Sequence, residues 1–210
     1  RRSARTTMDG ELAALRRVMP PPTEPRNLPP PDGWPEIERE LGLRLPADYQ
    51  AFVEVYGSGS VGAFLNVLTP FSDNPNLRLA DAAASQLEVY RQIREFERLQ
   101  FALHPEPGGL FPWGFTDNGD VMFWIMDSPA DPSHWSIAVS EVRGPGWFTH
   151  PGPFVRFLQE WLVGATEVPF IDGPLNPVYE PAAPWEELSR ILEADRAKWR
   201  AWDGSSPPPD

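Results

Sequence analysis

Two aromatic, apolar runs at residues 111–116 and 121–126 are separated by Asp117-Asn118-Gly119-Asp120. Asn-Gly supplies the positive φ values that a tight turn needs, so the runs are predicted to pair as an antiparallel hairpin. A β-sheet is thereby required in whatever the chain folds into. Residues 135–142 read as a further strand, Trp147-Phe148 as a short one, and 61–68 as a single earlier strand broken by Pro70. The 27 prolines keep regular elements short and predict many loops.

Helical signals surround these strands. Pro35 suits the first turn of a helix in which Ile37 and Leu41 share a face, and Gly42 ends it. A second helix starts at Pro46. Its Tyr49, Phe52, Val53 and Tyr56 recur at i, i+3, i+4 and i+7 before Gly57 stops it. Residues 80–99 carry a longer amphipathic pattern, with Leu87, Tyr90, Ile93 and Phe96 on or near the inner face. Residues 153–163 close the core through Phe154, Phe157, Leu158, Trp161 and Leu162, and Gly164 is the stop. The fold class is α+β, in one domain.

Both ends differ in texture. Residues 1–33 read as a Pro-rich, loosely attached N-terminal arm with a short helix at 11–19. Pro20-Pro21-Pro22 and Pro29-Pro30-Pro31 flank an extended stretch there. The folded domain is expected over 34–164. The remainder, 165–210, reads as a Pro-rich loop over 168–184, then a helix over 185–202 with Leu188, Leu192 and Trp199 as its apolar face. Residues 205–210 are disordered in composition.

Composition narrows the function classes. With 0 Cys, disulfide frameworks and thiolate metal sites are excluded, which fits a reducing cytoplasm. No apolar run approaches the ~20 residues of a membrane span. The basic start Arg1-Arg2-Ser3-Ala4-Arg5 leads into no hydrophobic secretory segment. A cytoplasmic protein without a membrane partner is expected, its true start at Met8 or outside the sequence. Every basic residue but Lys198 is Arg, which points to a GC-rich bacterial genome. A net charge of -12 argues against nucleic acid, whose phosphates need a cationic face. Residues 99–142 contain no Lys or Arg, yet hold Glu106, Asp117, Asp120, Asp127, Asp131 and Glu141. Such a stretch would steer a basic protein partner; the plainer reading is a solvated surface that aids solubility.

The letter patterns for chemistry are weak. Gly57-Ser58-Gly59-Ser60-Val61-Gly62 spells G-x-G-x-x-G, but dinucleotide binding needs the pattern to follow a strand and open a helix. Here it follows a helix and opens a strand, so no cofactor is expected. His104, His134 and His150 stand apart from any zinc motif. Asp117, Asn118 and Asp120 lack the ligand spacing and terminal Glu of a calcium loop and read as turn chemistry. Asp117 with Asp120, or Asp127 with Asp131, would be acid/base pairs only if close, whereas carboxylates in turns and loops are usually solvated. No G-x-S-x-G elbow occurs. A non-enzyme without metal or cofactor is the expectation. Trp113, Phe115, Phe123, Trp124 and Trp135 read chiefly as core, although strand alternation sets Phe123 and Trp124 on opposite faces. An exposed aromatic beside acids would suit a protein interface.

In order and spacing the motifs resemble the SUKH superfamily, the group named for a cell-wall-synthesis regulator and its bacterial immunity-protein relatives. The resemblance rests on Ile37-Glu38-Arg39-Glu40-Leu41-Gly42, Leu45-Pro46-x-Asp48-Tyr49-x-x-Phe52 and Tyr56-Gly57. It continues through Trp113-Gly114, Asn118-Gly119-Asp120, Trp124, Trp135 and Phe157-Leu158, covering roughly 34–164. It implies a central, mainly antiparallel sheet flanked by helices. For many bacterial members it implies an antidote that binds and neutralises a polymorphic toxin, often a nuclease or deaminase. The helical stretch at 76–101 is longer than in a minimal member, and the segment after Gly164 is an addition; both bear on toxin choice.

The expectation is therefore an immunity protein that occludes a cognate toxin with a basic surface. Asp117, Asp120, Asp127 and Asp131 would draw the toxin in, and Trp113, Trp124 and Trp135 would anchor it. The alternative is a non-enzymatic regulatory scaffold or adaptor that recruits several partners through 20–31 and 168–184. A small carboxylate hydrolase, the third class, would need a cleft with two close acids.

Overall fold

A computed structural model describes residues 2–128 and 130–201. Trp202 of the expected last helix and the tail at 205–210 lie outside these residues. In chain order the first elements are helices α1 (Arg2–Val18), α2 (Gly33–Leu41) and α3 (Ala47–Tyr56), strands β1 (Gly59–Val61) and β2 (Leu65–Val67), and helix α4 (Leu79–Phe96). Strands β3 (Leu110–Thr116) and β4 (Val121–Ile125) follow, then a 3-10 turn at Pro132–His134 and strands β5 (Ser136–Ser140) and β6 (Trp147–His150). Helix α5 (Phe154–Leu162), strand β7 (Tyr179–Pro181) and helix α6 (Trp185–Ala201) complete the described chain. One antiparallel sheet runs β6-β5-β4-β3-β2-β1-β7, so the α+β class with a helix-flanked central sheet holds.

The hairpin forms, with Phe115 opposite Val121, but its turn is not the expected one. Gly119 N–H donates to the Thr116 carbonyl at 2.9 Å, and Thr116 N–H to the Asp120 carbonyl at 2.9 Å. In the turn only Gly119 takes a positive φ, +96°, and Asn118 does not. Three loop residues favour a type I turn closed by a left-handed glycine over the two-residue Asn-Gly form. The strand expected at 61–68 is itself a hairpin. Gly62 and Ala63 both take positive φ, and Phe64 N–H donates to the Val61 carbonyl at 3.1 Å. A non-glycine at positive φ gives no sequence signal, so the break was hidden.

Helices cover one face of the sheet along its length and the other only in part. On the first face, Tyr49 of α3 meets Trp124 edge-on at 4.9 Å and Phe154 of α5 at 5.3 Å. On the second, Tyr90 of α4 meets Phe123 at 5.1 Å. Beyond α4, the residues on this face are half-buried or exposed: Phe115, Asn66, Ser60 and Glu180.

Segments on both sides of the expected domain contribute to the core, against expectation. Leu15 and Met19 are fully buried where α1 packs on α5 and α3, and Tyr56 donates its hydroxyl to the Met19 carbonyl at 2.6 Å. The helix begins well before residue 11, and the proline stretch after it is tied down where Ser58 N–H donates to the Arg26 carbonyl at 2.9 Å. The N-terminal segment is thus not loosely attached. Toward the other end, Val168, Ile171, Leu175 and Tyr179 are buried within the segment expected as a Pro-rich loop. Tyr179 begins β7, which pairs with β1, and its hydroxyl donates to the Gly57 carbonyl at 2.9 Å. Three strand residues among prolines are too few to show a period of two. On α6, Leu192 and Trp199, expected to face inward, are exposed, while Leu188 is half-buried.

Packing accounts for the glycine run after α3. A Cβ on Gly57 would overlap the Arg26 carbonyl, and one on Gly59 would overlap the Glu180 carbonyl of β7. These glycines let two outlying segments dock against the start of β1.

Candidate functional site

The aromatics proposed as anchors are core. Trp113 and Trp124 are fully buried and Trp135 is 2 % exposed. Trp113 meets Phe154 at 4.8 Å and Phe157 at 6.1 Å, and Trp124 lies 6.1 Å from Trp135. The Trp135 indole N–H donates to the Ser128 carbonyl at 2.9 Å. Alternation does put Phe123 and Trp124 on opposite faces, but β4 lies where both faces are covered, so neither reaches solvent. A bulge between Pro112 and Gly114 leaves Trp113 as the unpaired residue, directed to the α5 side with Trp124.

The four acids do not form one patch. Asp120 is 3 % exposed and acts as a pin: Thr116 donates its hydroxyl to Oδ2 at 2.8 Å, and Val142 N–H donates to Oδ1 at 3.0 Å. It ties the hairpin turn to the segment after β5 and is not open to a partner. Asp117 is exposed and accepts from the Asn66 amide at 3.0 Å. Asp127 and Asp131 are exposed at the other end of β4, on the order of 20 Å away by strand rise. Asp131 starts the 3-10 turn, taking the Ser133 hydroxyl at 2.5 Å and the Ser133 N–H at 3.2 Å, with His134 at 2.9 Å. The Ser133 hydroxyl, foremost, holds this carboxyl below its ordinary range.

Sequence reasoning did not single out Asp48, which sits inside the Leu-Pro-x-Asp-Tyr motif. It lies in the first turn of α3, is 6 % exposed, and accepts the Val155 N–H of α5 at 2.8 Å. It joins two helix N-termini across the core, where backbone N–H groups lack partners. Burial pushes its carboxyl up to about 6, against the pull of the N–H groups of Val155, Tyr49 and Asp48 itself. The one signal was an acid at the second position of a helix between apolar neighbours.

The histidines are also engaged. His150 lies 2.7 Å from Glu160 through Nε2, and its Nδ1 accepts Gly152 N–H at 3.1 Å. An Nδ1 that accepts carries no proton, so Nε2 is the donor and neither nitrogen is free to act as a base. Arg156, chiefly, holds the Glu160 carboxyl below its ordinary range. His104 packs edge-on against Phe111 at 5.4 Å, and burial lowers its affinity for a proton. Among the described residues no three His, Asp or Glu come together as a metal site.

Among the described residues, grooves lie on each side of the hairpin turn. The first, about 470 Å³, runs between α4 and the turn after β5 and is lined by Val89, Ile93, Glu97, Glu141, Val142 and Arg143 among others. Within its wall, Glu141 is folded back and accepts Gly146 N–H at 3.2 Å. The second, about 350 Å³, lies on the sheet face that α4 leaves uncovered. Its floor is the cross-strand row Glu180–Ser60–Asn66–Phe115, drawn from β7, β1, β2 and β3 in direct register. Asp117 borders it through the bond to Asn66. The arrangement offers acceptors, one aromatic face and a carboxylate to a polar cationic group. Comparison of the chain with protein-family models, with curated proteins and with solved structures finds no match.

Proposed function

We propose that the chain is a non-enzymatic immunity protein of the SUKH kind that neutralises a cognate toxin by binding and occluding it. The observation that carries this reading is the hairpin end of the sheet. Two grooves flank the turn, and Glu97, Asp117, Glu141 and Glu180 lie in or beside them on a chain of net charge -12. A surface of this kind favours a basic protein. Its charges raise the association rate and sort partners, while a few desolvated contacts inside the grooves supply affinity. The motif residues Tyr49, Phe52, Trp113, Trp124, Trp135 and Phe157 are all buried, so they serve the fold and leave recognition to the surface around it. The adaptor alternative relied on free Pro-rich arms. Arg26 is held by Ser58, and Ile171, Leu175 and Tyr179 are buried, which leaves that reading less support.

Co-expression with a toxin candidate encoded beside this gene tests the proposal. The expected result is one-to-one co-purification, loss of toxicity, and association that slows as salt is raised. A folded protein that neither binds nor protects would refute it.

A further inference from the structure

The geometry points to the second groove as the seat of an arginine side chain presented by a basic protein partner. For the partner's identity this rests on the antidote reading; the groove's own chemistry stands apart from it. Glu180 is the one charged residue lining the groove, and its carboxylate makes no hydrogen bond or ion pair among the described residues. Ser60 lies beside it on the next strand and Asn66 on the strand after that, so acceptors recur across roughly 10 Å of sheet. Asn66 gives its amide nitrogen to Asp117 at 3.0 Å, which fixes the amide and leaves its Oδ1 as an acceptor. Asp117, held in this way, adds a second negative charge at the rim.

Phe115 ends the row, half-buried and beyond the cover of α4. A flat guanidinium stacked on its ring would direct its donors along the row toward Asn66, Ser60 and Glu180. Lysine has neither the plane nor the fork for this. The first groove is a poorer seat for a cation, because Arg143 lines it and Glu141 is turned back into its own loop. Recognition by strand addition is disfavoured at this edge. The outer strand β7 has three residues and ends in Pro181, which donates no hydrogen bond.

The test has two arms. In the first, the isotope-labelled full chain is titrated with acetyl-Gly-Arg-Gly-amide, and separately with its Lys and Glu counterparts, while backbone amide shifts are followed. Saturable shifts centred on Ser60, Asn66, Phe115 and Glu180, stronger for the Arg peptide and lost in Glu180→Gln, are expected. Shifts scattered over the acidic surface, centred between α4 and β5, or unchanged in Glu180→Gln would overturn the assignment. In the second arm a toxin candidate encoded beside this gene is titrated against wild type and Glu180→Arg, with circular dichroism to show that both are folded. The charge reversal should weaken binding by at least about tenfold. Equal binding by both proteins overturns the groove and leaves the antidote reading standing. If the wild type does not bind the toxin, the antidote reading falls and the peptide arm alone decides the groove.

Discussion

Replacing Asp48 by Asn tests whether burial dominates at the junction of α3 and α5. The carboxyl is pushed from 3.8 to about 6 in the folded chain. Between those values the folded state holds a proton that the unfolded state has released. The associated stability is therefore fully present below pH 3.8 and is lost as pH rises through about 6. A gap of roughly two units at about 1.4 kcal/mol each is worth ~3 kcal/mol, of which about 2 to 3 separates pH 4 from pH 7.5. Asn keeps an oxygen for the Val155 N–H and does not titrate. The cost or gain of the substitution itself is common to both pH values and cancels when they are compared. Glu160 and Asp131, whose carboxyls are held low, act in the opposite sense but equally in both proteins. Urea unfolding of wild type and variant at each pH is the assay. Relative to wild type, the variant should be better by about 2 to 3 kcal/mol at pH 7.5 than at pH 4, a relative midpoint change of roughly 1 M. A difference independent of pH, or one of opposite sign, would refute the reasoning. It would mean that two helix N-termini hold the ionised carboxylate as well as water does.

Three further perturbations follow from the packing. Asp120→Ala should cost about 1 to 3 kcal/mol in chemical denaturation, since the Thr116 hydroxyl and Val142 N–H lose their acceptor; exposed Asp117→Ala should cost under about 0.5. Tyr179→Ala should cost about 3 to 5 kcal/mol, because the ring packs on Phe52 and Tyr56 and its hydroxyl is bonded to Gly57. A loss under about 1 kcal/mol would show that β7 is peripheral. Gly57→Ala should lower stability by at least about 2 kcal/mol, given a φ of +66° and the Arg26 carbonyl where the methyl would lie.

Periodicity and punctuation made the domain's centre readable. Gly42 ends α2 at φ +68°, Gly57 ends α3, and the stripe of Tyr49, Phe52, Val53 and Tyr56 is buried. Segments whose order comes from tertiary pairing stayed hidden. Tyr179–Pro181 becomes a strand only because Gly59 admits it, and Met19 is fixed by a hydroxyl 37 residues away. At the candidate site, residue type misled in a consistent direction. A Trp on a sheet covered on both faces is core, and an aspartate one residue past a type I turn can reach back to the turn's first hydroxyl. Asp117 and Asp120 differ by three positions, and one is solvated while the other is buried.

The groove row explains why no motif reading could have found it. Its members, at positions 60, 66, 115 and 180, become neighbours only through four strands pairing in register. Three of them come from the part of the chain that resembles the SUKH pattern; the fourth, Glu180, comes from the addition after Gly164. That addition is anchored by Tyr179 on the buried side of β7 and presents Glu180 on the open side, as alternation along a strand requires. Stability and recognition are thus assigned to adjacent residues of one short strand. Tyr179→Ala should therefore lower unfolding midpoints, whereas Glu180→Gln should leave them in place and alter only what the open face binds. If Glu180→Gln unfolded the chain as readily as Tyr179→Ala, the two faces of β7 would not be separable and the groove would have no independent role.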